Sequence, residues 1–146
     1  MSNPYRLYAM THSLYSGRAR SYLIKAGLPF QELSMGHDSY RSEVLPQAGI
    51  ATIPTVVTPD GRVIRDGPAI VEHIEAERGH PCRPEGRLQQ LTSALLDVIG
   101  GDGLLRPAMH YRWNFPEENL EFLKLHFLFL QKQEDSAEEK AGRVMD

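Results

Sequence analysis

The stretch Tyr5-Arg-Leu-Tyr-Ala-Met-Thr-His-Ser-Leu-Tyr-Ser-Gly-Arg-Ala-Arg-Ser-Tyr-Leu-Ile-Lys-Ala-Gly27 decides the fold of this 146-residue chain. Arg6 to Met10 reads as a short buried strand. Tyr15, Ala19, Tyr22, Leu23 and Ala26 then recur at helical spacing until Gly27 stops the pattern. Between strand and helix, Ser13 is suited to cap the helix, and the first turn behind it carries no acid. Free backbone N–H groups in such a turn can hold a thiolate, a carboxylate or a phosphate. A plain helix cap needs the same residues, so this stretch alone does not decide between the two roles.

Working outward, Leu28 to Leu33 reads as a second strand, and Pro29 near its start favours an edge position. A right-handed crossover through the helix places the first two strands parallel in one sheet. Residues 36–41 read as polar loop, and Ser42 to Gln47 as a short helix limited by Pro46 and Gly49. Thr55 to Thr58, Pro59-Asp60-Gly61 and Arg62 to Arg65 carry the pattern of a β-hairpin. Pro68 suits the first turn of a further helix capped by Asp66 or Gly67, with Ala69, Ile70 and Ile74 as its apolar stripe. The order is β-α-β-α-β-β-α.

Arg78 to Pro84 is dense in chain breakers and reads as a linker. A helix over 85–99 follows, with Leu88, Leu91, Leu95 and Val98 or Ile99 on one face, and Gly100-Gly101-Asp102-Gly103 is expected to end it. Phe115-Pro116-Glu117-Glu118 begins another helix, with Leu120, Leu123, Phe127 and Leu130 on one side and Phe122, Leu125 and Phe129 on a second. Such a helix is apolar nearly all round and calls for partners beyond those this chain provides. The charged segment 131–146 is expected to fray, and no internal repeat is visible.

Strand, Ser13-x-x-Ser16 opening a helix, Ile53-Pro54-Thr55-Val56-Val57, Asp60-Gly61 and Asp66-Gly67-Pro68-Ala69-Ile70 occur in one order. That order resembles the thioredoxin-like N-terminal domain of the cytosolic glutathione S-transferase family, over residues 5 to 80. The resemblance implies an α/β thioredoxin-like domain over residues 1–80 and a partial all-α C-terminal domain over 81–146. About half of the helical domain usual in the family is missing, as in a short or a truncated chain.

The resemblance also implies a glutathione S-transferase activity, in which glutathione as co-substrate is conjugated to a small apolar electrophile, a detoxification chemistry. Ser13 would hold the sulfur by donating a hydrogen bond to the thiolate. Tyr8, Thr11, His12, Tyr15 and Ser16 are its rivals in the same stretch, with Tyr8 expected to pack in the strand, His12 to sit in solvent and Ser16 to serve the helix turn. Ile53 and the cis-proline position Pro54 would bind the cysteinyl part of glutathione, and Asp66 and Gly67 its γ-glutamyl end. Gly67 departs from the family's usual Ser and removes a hydroxyl. Tyr111, Arg112 and Trp113, in a His-Tyr-Arg-Trp run similar to a bacterial subgroup of the family, would form a wall for the second substrate or pack between domains. The family also implies a homodimer. Glutathione-dependent reduction or isomerisation is a related alternative, and a non-catalytic interaction module is an alternative of another class.

Composition agrees with a folded globular chain: 41% hydrophobic, 24% charged, net charge −3. Residues 1–80 hold eight basic and eight acidic side chains, and nothing points to a nucleic-acid surface. The single Cys82 cannot form an internal disulfide, and with both positions of Ser13-x-x-Ser16 lacking cysteine, dithiol chemistry by that motif is excluded. No metal site, signal segment or membrane span is expected, since the apolar run Leu120 to Leu130 is interrupted by charge and too short for a bilayer. A cytoplasmic location follows as the expectation.

Overall fold

The computed structural model describes residues 3–127. The expected extension of the last helix to Leu130 and the charged segment 131–146 lie outside the described residues. Strand β1 (Tyr5–Tyr8) leads into helix α1 (Leu14–Lys25), then β2 (Phe30–Leu33), a π-helical turn (Tyr40–Val44) that runs into α2 (Leu45–Ala48), the hairpin β3 (Thr55–Val57) and β4 (Val63–Arg65), and α3 (Gly67–Glu77). The sheet order is β2-β1-β3-β4, with β1 parallel to β2 and antiparallel to β3. This is the thioredoxin-like arrangement, with β2 on an edge as Pro29 requires.

Alternation along β1 divides the core between the two faces of the sheet. Tyr5 and Leu7 join Ala19, Tyr22 and Leu23 of α1 with Ile70 and Ile74 of α3. Tyr8 points the other way, onto Tyr40, Val44, Ala48 and Val57. Ile70 and Ile74 are fully buried, and each contributes roughly 1.5–3 kcal/mol by leaving water. Tyr22 adds a polar tie within this layer: its hydroxyl donates to the buried carboxylate of Glu75, which also accepts from the Cys82 N–H at 3.1 Å. Burial pushes the Glu75 carboxyl up, but these hydrogen bonds outweigh it and hold the group below its ordinary range.

Two expectations need correction. Pro46 does not limit a helix but stands in the first turn of α2, where the π-helical turn gives way to α-helix, and Gly49 at φ 78° ends it. The glycine-rich run does not end the helix that follows α3 either. Helix α4 (Arg87–Val98) continues into a second π-helical turn (Ile99–Gly103), closed by the Leu104 N–H on the Ile99 carbonyl at 3.1 Å. Helices α5 (Leu105–Trp113) and α6 (Pro116–Phe127) follow.

The stripe Leu88, Leu91, Leu95 and Val98 forms on α4 but stays 55–77% exposed among the described residues. On α6 Leu123 is buried, whereas Phe122 and Leu125 are exposed. Among the described residues no helix is long and apolar enough to cross a membrane.

Candidate functional site

The β1–α1 turn sets the two serines in different environments. Ser13 caps α1 with extended backbone (φ −80°, ψ 122°), and its Oγ accepts from the Ser16 N–H at 3.2 Å. That leaves its O–H proton free to donate. Ser16 is 0% exposed, and its Oγ accepts from the Met10 N–H at 3.3 Å. The second serine therefore ties the turn to the helix from within, and the first lines a cavity of about 890 Å³.

One wall of this cavity is α1, through Leu14, Gly17, Arg18 and Ser21; the facing wall is Ala94, Leu96, Asp97 and Val98 of α4 with Gly100 to Asp102 of the π turn. Asp66 and Pro68 close one side. A neighbouring cavity of about 630 Å³ is lined by Tyr15, Thr52, Ile53 and Asp66 among others, so Tyr15 and Asp66 stand where the two meet.

Ile53-Pro54 is a cis peptide bond, and the Pro54 carbonyl accepts from the Asp66 N–H at 3.1 Å. The loop before it is clamped by Tyr40, whose hydroxyl accepts from the Thr52 N–H at 2.9 Å and donates to the Thr52 carbonyl at 3.0 Å. Asp66 stands at the N-cap of α3 without a capping hydrogen bond from its side chain, at φ 73° and ψ 136°. The adjoining Gly67 packs against α1, and a Cβ there would come within 3.2 Å of Arg18 Cδ. Arg18 runs across this gap to an ion pair with Asp97 of α4.

His12 corrects an expectation. Instead of lying in solvent, its ring packs edge-on against Phe122 and His126 and tilted against Phe127, all from α6. Both ring nitrogens are buried without a hydrogen-bond partner among the described residues. Burial, then His126 and Arg112, hold its pKa below the ordinary 6.5. Arg112 donates to the His12 carbonyl at 3.1 Å. Trp113 stacks obliquely on Phe127, while Tyr111 is 68% exposed. Tyr111, Arg112 and Trp113 are not among the residues lining the large cavity, whose far wall is α4 and its π turn.

Sequence reasoning passed over Arg18, Asp97 and Tyr40. Arg18 had a signal: Leu14, Arg18 and Ser21 follow one another at i, i+4 and i+7, on one face of α1. Asp97 had none, being 79 residues away. Among the described residues no group of three or more His, Cys, Asp or Glu is placed to hold a metal ion.

A family model described as the glutathione S-transferase N-terminal domain matches residues 7–82, more than half of the chain. The chain belongs to the glutathione S-transferase family. Its fold is similar to a glutathione S-transferase from Rhodospirillum rubrum F11, at TM-score 0.63 and 14% identity, covering 96% of this chain and 75% of that one. It is also similar to a glutathione transferase homologue from Sulfitobacter with bound glutathione, at TM-score 0.54 and 11% identity, covering 99% and 81%. A third likeness is to glutaredoxin 2 from Salmonella typhimurium in complex with glutathione, at TM-score 0.51 and 18% identity, covering 99% and 66%. At such identities these likenesses speak for the fold. None of the curated proteins matches this chain in sequence.

Proposed function

We propose that this chain binds glutathione and conjugates its sulfur to a small apolar electrophile in the cavity between α1 and α4. The observation that carries this reading is the Ser13 hydroxyl, free to donate at the N-terminus of α1, in a cavity that also exposes Asp66. Glutathione bound to structural relatives supports the choice of ligand.

Lowering a thiol from about 8.5 to about 6.5 takes roughly 2.7 kcal/mol at 1.36 per unit. A hydrogen bond to a charged group supplies roughly 1.5–3 kcal/mol and a helix N-terminus roughly 0.3–1. Ser13 and α1 together meet that requirement. The hydroxyl stabilises the thiolate as a donor, the thiolate attacks the electrophilic carbon, and the displaced group leaves with the electron pair of the broken bond. Ile53 and Pro54 receive the cysteinyl backbone, and Asp66 with the Gly67 N–H receives the γ-glutamyl end. Leu14, Ala94, Leu96 and Val98, the apolar part of the same lining, meet the apolar substrate. Residues 1–80 then form the glutathione-binding domain and 81–146 the helical one, in a cytoplasmic enzyme.

A second reading is favoured by one observation, the uncovered stripe of Leu88, Leu91, Leu95 and Val98 on α4. Such a face suits a homodimer or a non-catalytic interaction module. Calorimetric titration with reduced glutathione, repeated on Asp66→Ala, separates the readings. Binding that the substitution weakens, followed by conjugation of a nitroaryl chloride, sustains the transferase. A folded chain that binds no glutathione at millimolar ligand refutes it in favour of the interaction module.

A further inference from the structure

Helix α6 meets the β1–α1 turn at His12. The His12 ring centroid lies 4.7 Å from that of His126, 5.5 Å from Phe127 and 5.7 Å from Phe122. Both of its ring nitrogens are shut off from water and have no hydrogen-bond partner among the described residues. A neutral imidazole leaves one donor and one acceptor unmet in such a place; an imidazolium leaves two donors and a whole charge. The charged groups around the ring add to that penalty. From α6 it faces His126, and from α5 Arg112, whose guanidinium also donates to the His12 carbonyl at 3.1 Å. From α1, Arg20 reaches the neighbouring Met10 carbonyl at 3.0 Å, with its own charge matched by Glu32. Lys124 is a further cation on α6, and the acids of that helix, Glu117, Glu118 and Glu121, are exposed. No carboxylate among the described residues bonds to the ring.

We infer that α6 is a pH-released clasp on the β1–α1 turn, seated on His12 while that ring is neutral and lifted off when the ring takes up a proton. Lifting off gives both nitrogens to water and carries His126 away from the new charge. A free histidine titrates near 6.5 and the seated one lower, so the unseated form takes up the proton first. Seating is therefore undisturbed above about pH 6.5 and weakens as the pH falls from there toward the lowered value. His12 also lines the large cavity, next to Ser13. The clasp thus couples acidity to the turn that carries the serine hydroxyl, whatever ligand the cavity takes.

Trp113 is the single tryptophan, and its ring centroid lies 5.7 Å from that of Phe127 at the end of α6. Quenching of its fluorescence by acrylamide therefore reads whether α6 is in place. The full chain is titrated from about pH 8 to about pH 5, the range in which a histidine changes charge, with far-ultraviolet circular dichroism recorded beside it. Quenching is expected to rise below about pH 6.5 while the circular dichroism holds. His12→Phe, which keeps an aromatic ring and cannot be protonated, is expected to lose the rise. His12→Lys, charged throughout, is expected to show the acid level of quenching already at about pH 8. Quenching that does not change with pH in the wild type overturns the inference, as does a rise that comes only with loss of the dichroism, which is unfolding of the whole chain. A rise that survives in His12→Phe and disappears in His126→Phe overturns it too, by moving the switch to the other histidine. Glutathione is absent from every arm, so failure here leaves the proposed function untouched.

Discussion

Replacing Ser13 by Ala and by Gly separates two contributions of one hydroxyl. The Ser13 Oγ accepts from the Ser16 N–H and caps α1, while its proton is available to a bound thiolate. Loss of the cap costs about 1 kcal/mol for Ala but only a few tenths for Gly. Loss of the donor removes roughly 1.5–3 kcal/mol of thiolate stabilisation in both variants, equivalent to a rise of about 1–2 units in the pKa of bound glutathione. The assay is the ultraviolet absorbance of the thiolate in the glutathione complex as a function of pH, beside urea unfolding of the same proteins. Both variants should raise the thiol pKa alike, and only Ser13→Ala should lose substantial stability. An unchanged thiol pKa in both variants refutes the role of the hydroxyl. A shift in Ala without one in Gly assigns the effect to the helix cap instead.

Tyr22→Phe removes the hydroxyl donor of the buried Glu75 carboxylate and should cost about 1.5–3 kcal/mol in urea unfolding. In the wild type the Glu75 contribution, from a carboxyl held below 4.5, is present above that pH and is lost as pH falls from it toward the lowered folded value. Tyr40→Phe frees the Thr52 N–H and leaves the Thr52 carbonyl with the Thr55 hydroxyl as its donor, and should weaken glutathione binding about tenfold through the loop before Pro54, as calorimetry would show. His12 is held neutral below its ordinary 6.5, so the unfolded chain takes up its proton first and stability falls as pH drops below that value. His12→Phe, whose ring suits the same aromatic surroundings, should flatten the melting temperature between about pH 7 and about pH 5; an unchanged slope would contradict it.

The elements legible in the sequence are those whose causes lie close along the chain. Helix α1 shows in the spacing of Ala19, Tyr22 and Leu23 and in Gly27, and the hairpin in Thr58 to Arg62, where the Thr58 N–H bonds to the Arg62 carbonyl at 2.9 Å. Pro46 misled because a proline in the first turn of a helix and one closing it look alike without the neighbouring backbone. The glycine run misled because a π turn is sustained by a hydrogen bond between Leu104 and Ile99, which composition does not record. His12 was unreadable for a different reason: its surroundings come from α6, more than a hundred residues later. Within the candidate site, the motif-borne positions 13, 53, 54 and 66 were open to sequence reading. The Arg18–Asp97 pair, a product of how α1 and α4 face each other, was not.

Asp66 holds a backbone conformation, φ 73° and ψ 136°, that glycine adopts freely and other residues only at about 1–3 kcal/mol. A library of this protein screened for heat resistance alone should therefore converge on glycine at position 66. The winners would be sturdier and would have discarded the carboxylate where the two cavities meet. Screening for robustness and screening for ligand capture would thus pull this one codon in opposite directions, and the residue it encodes would report which pressure a given lineage had been under.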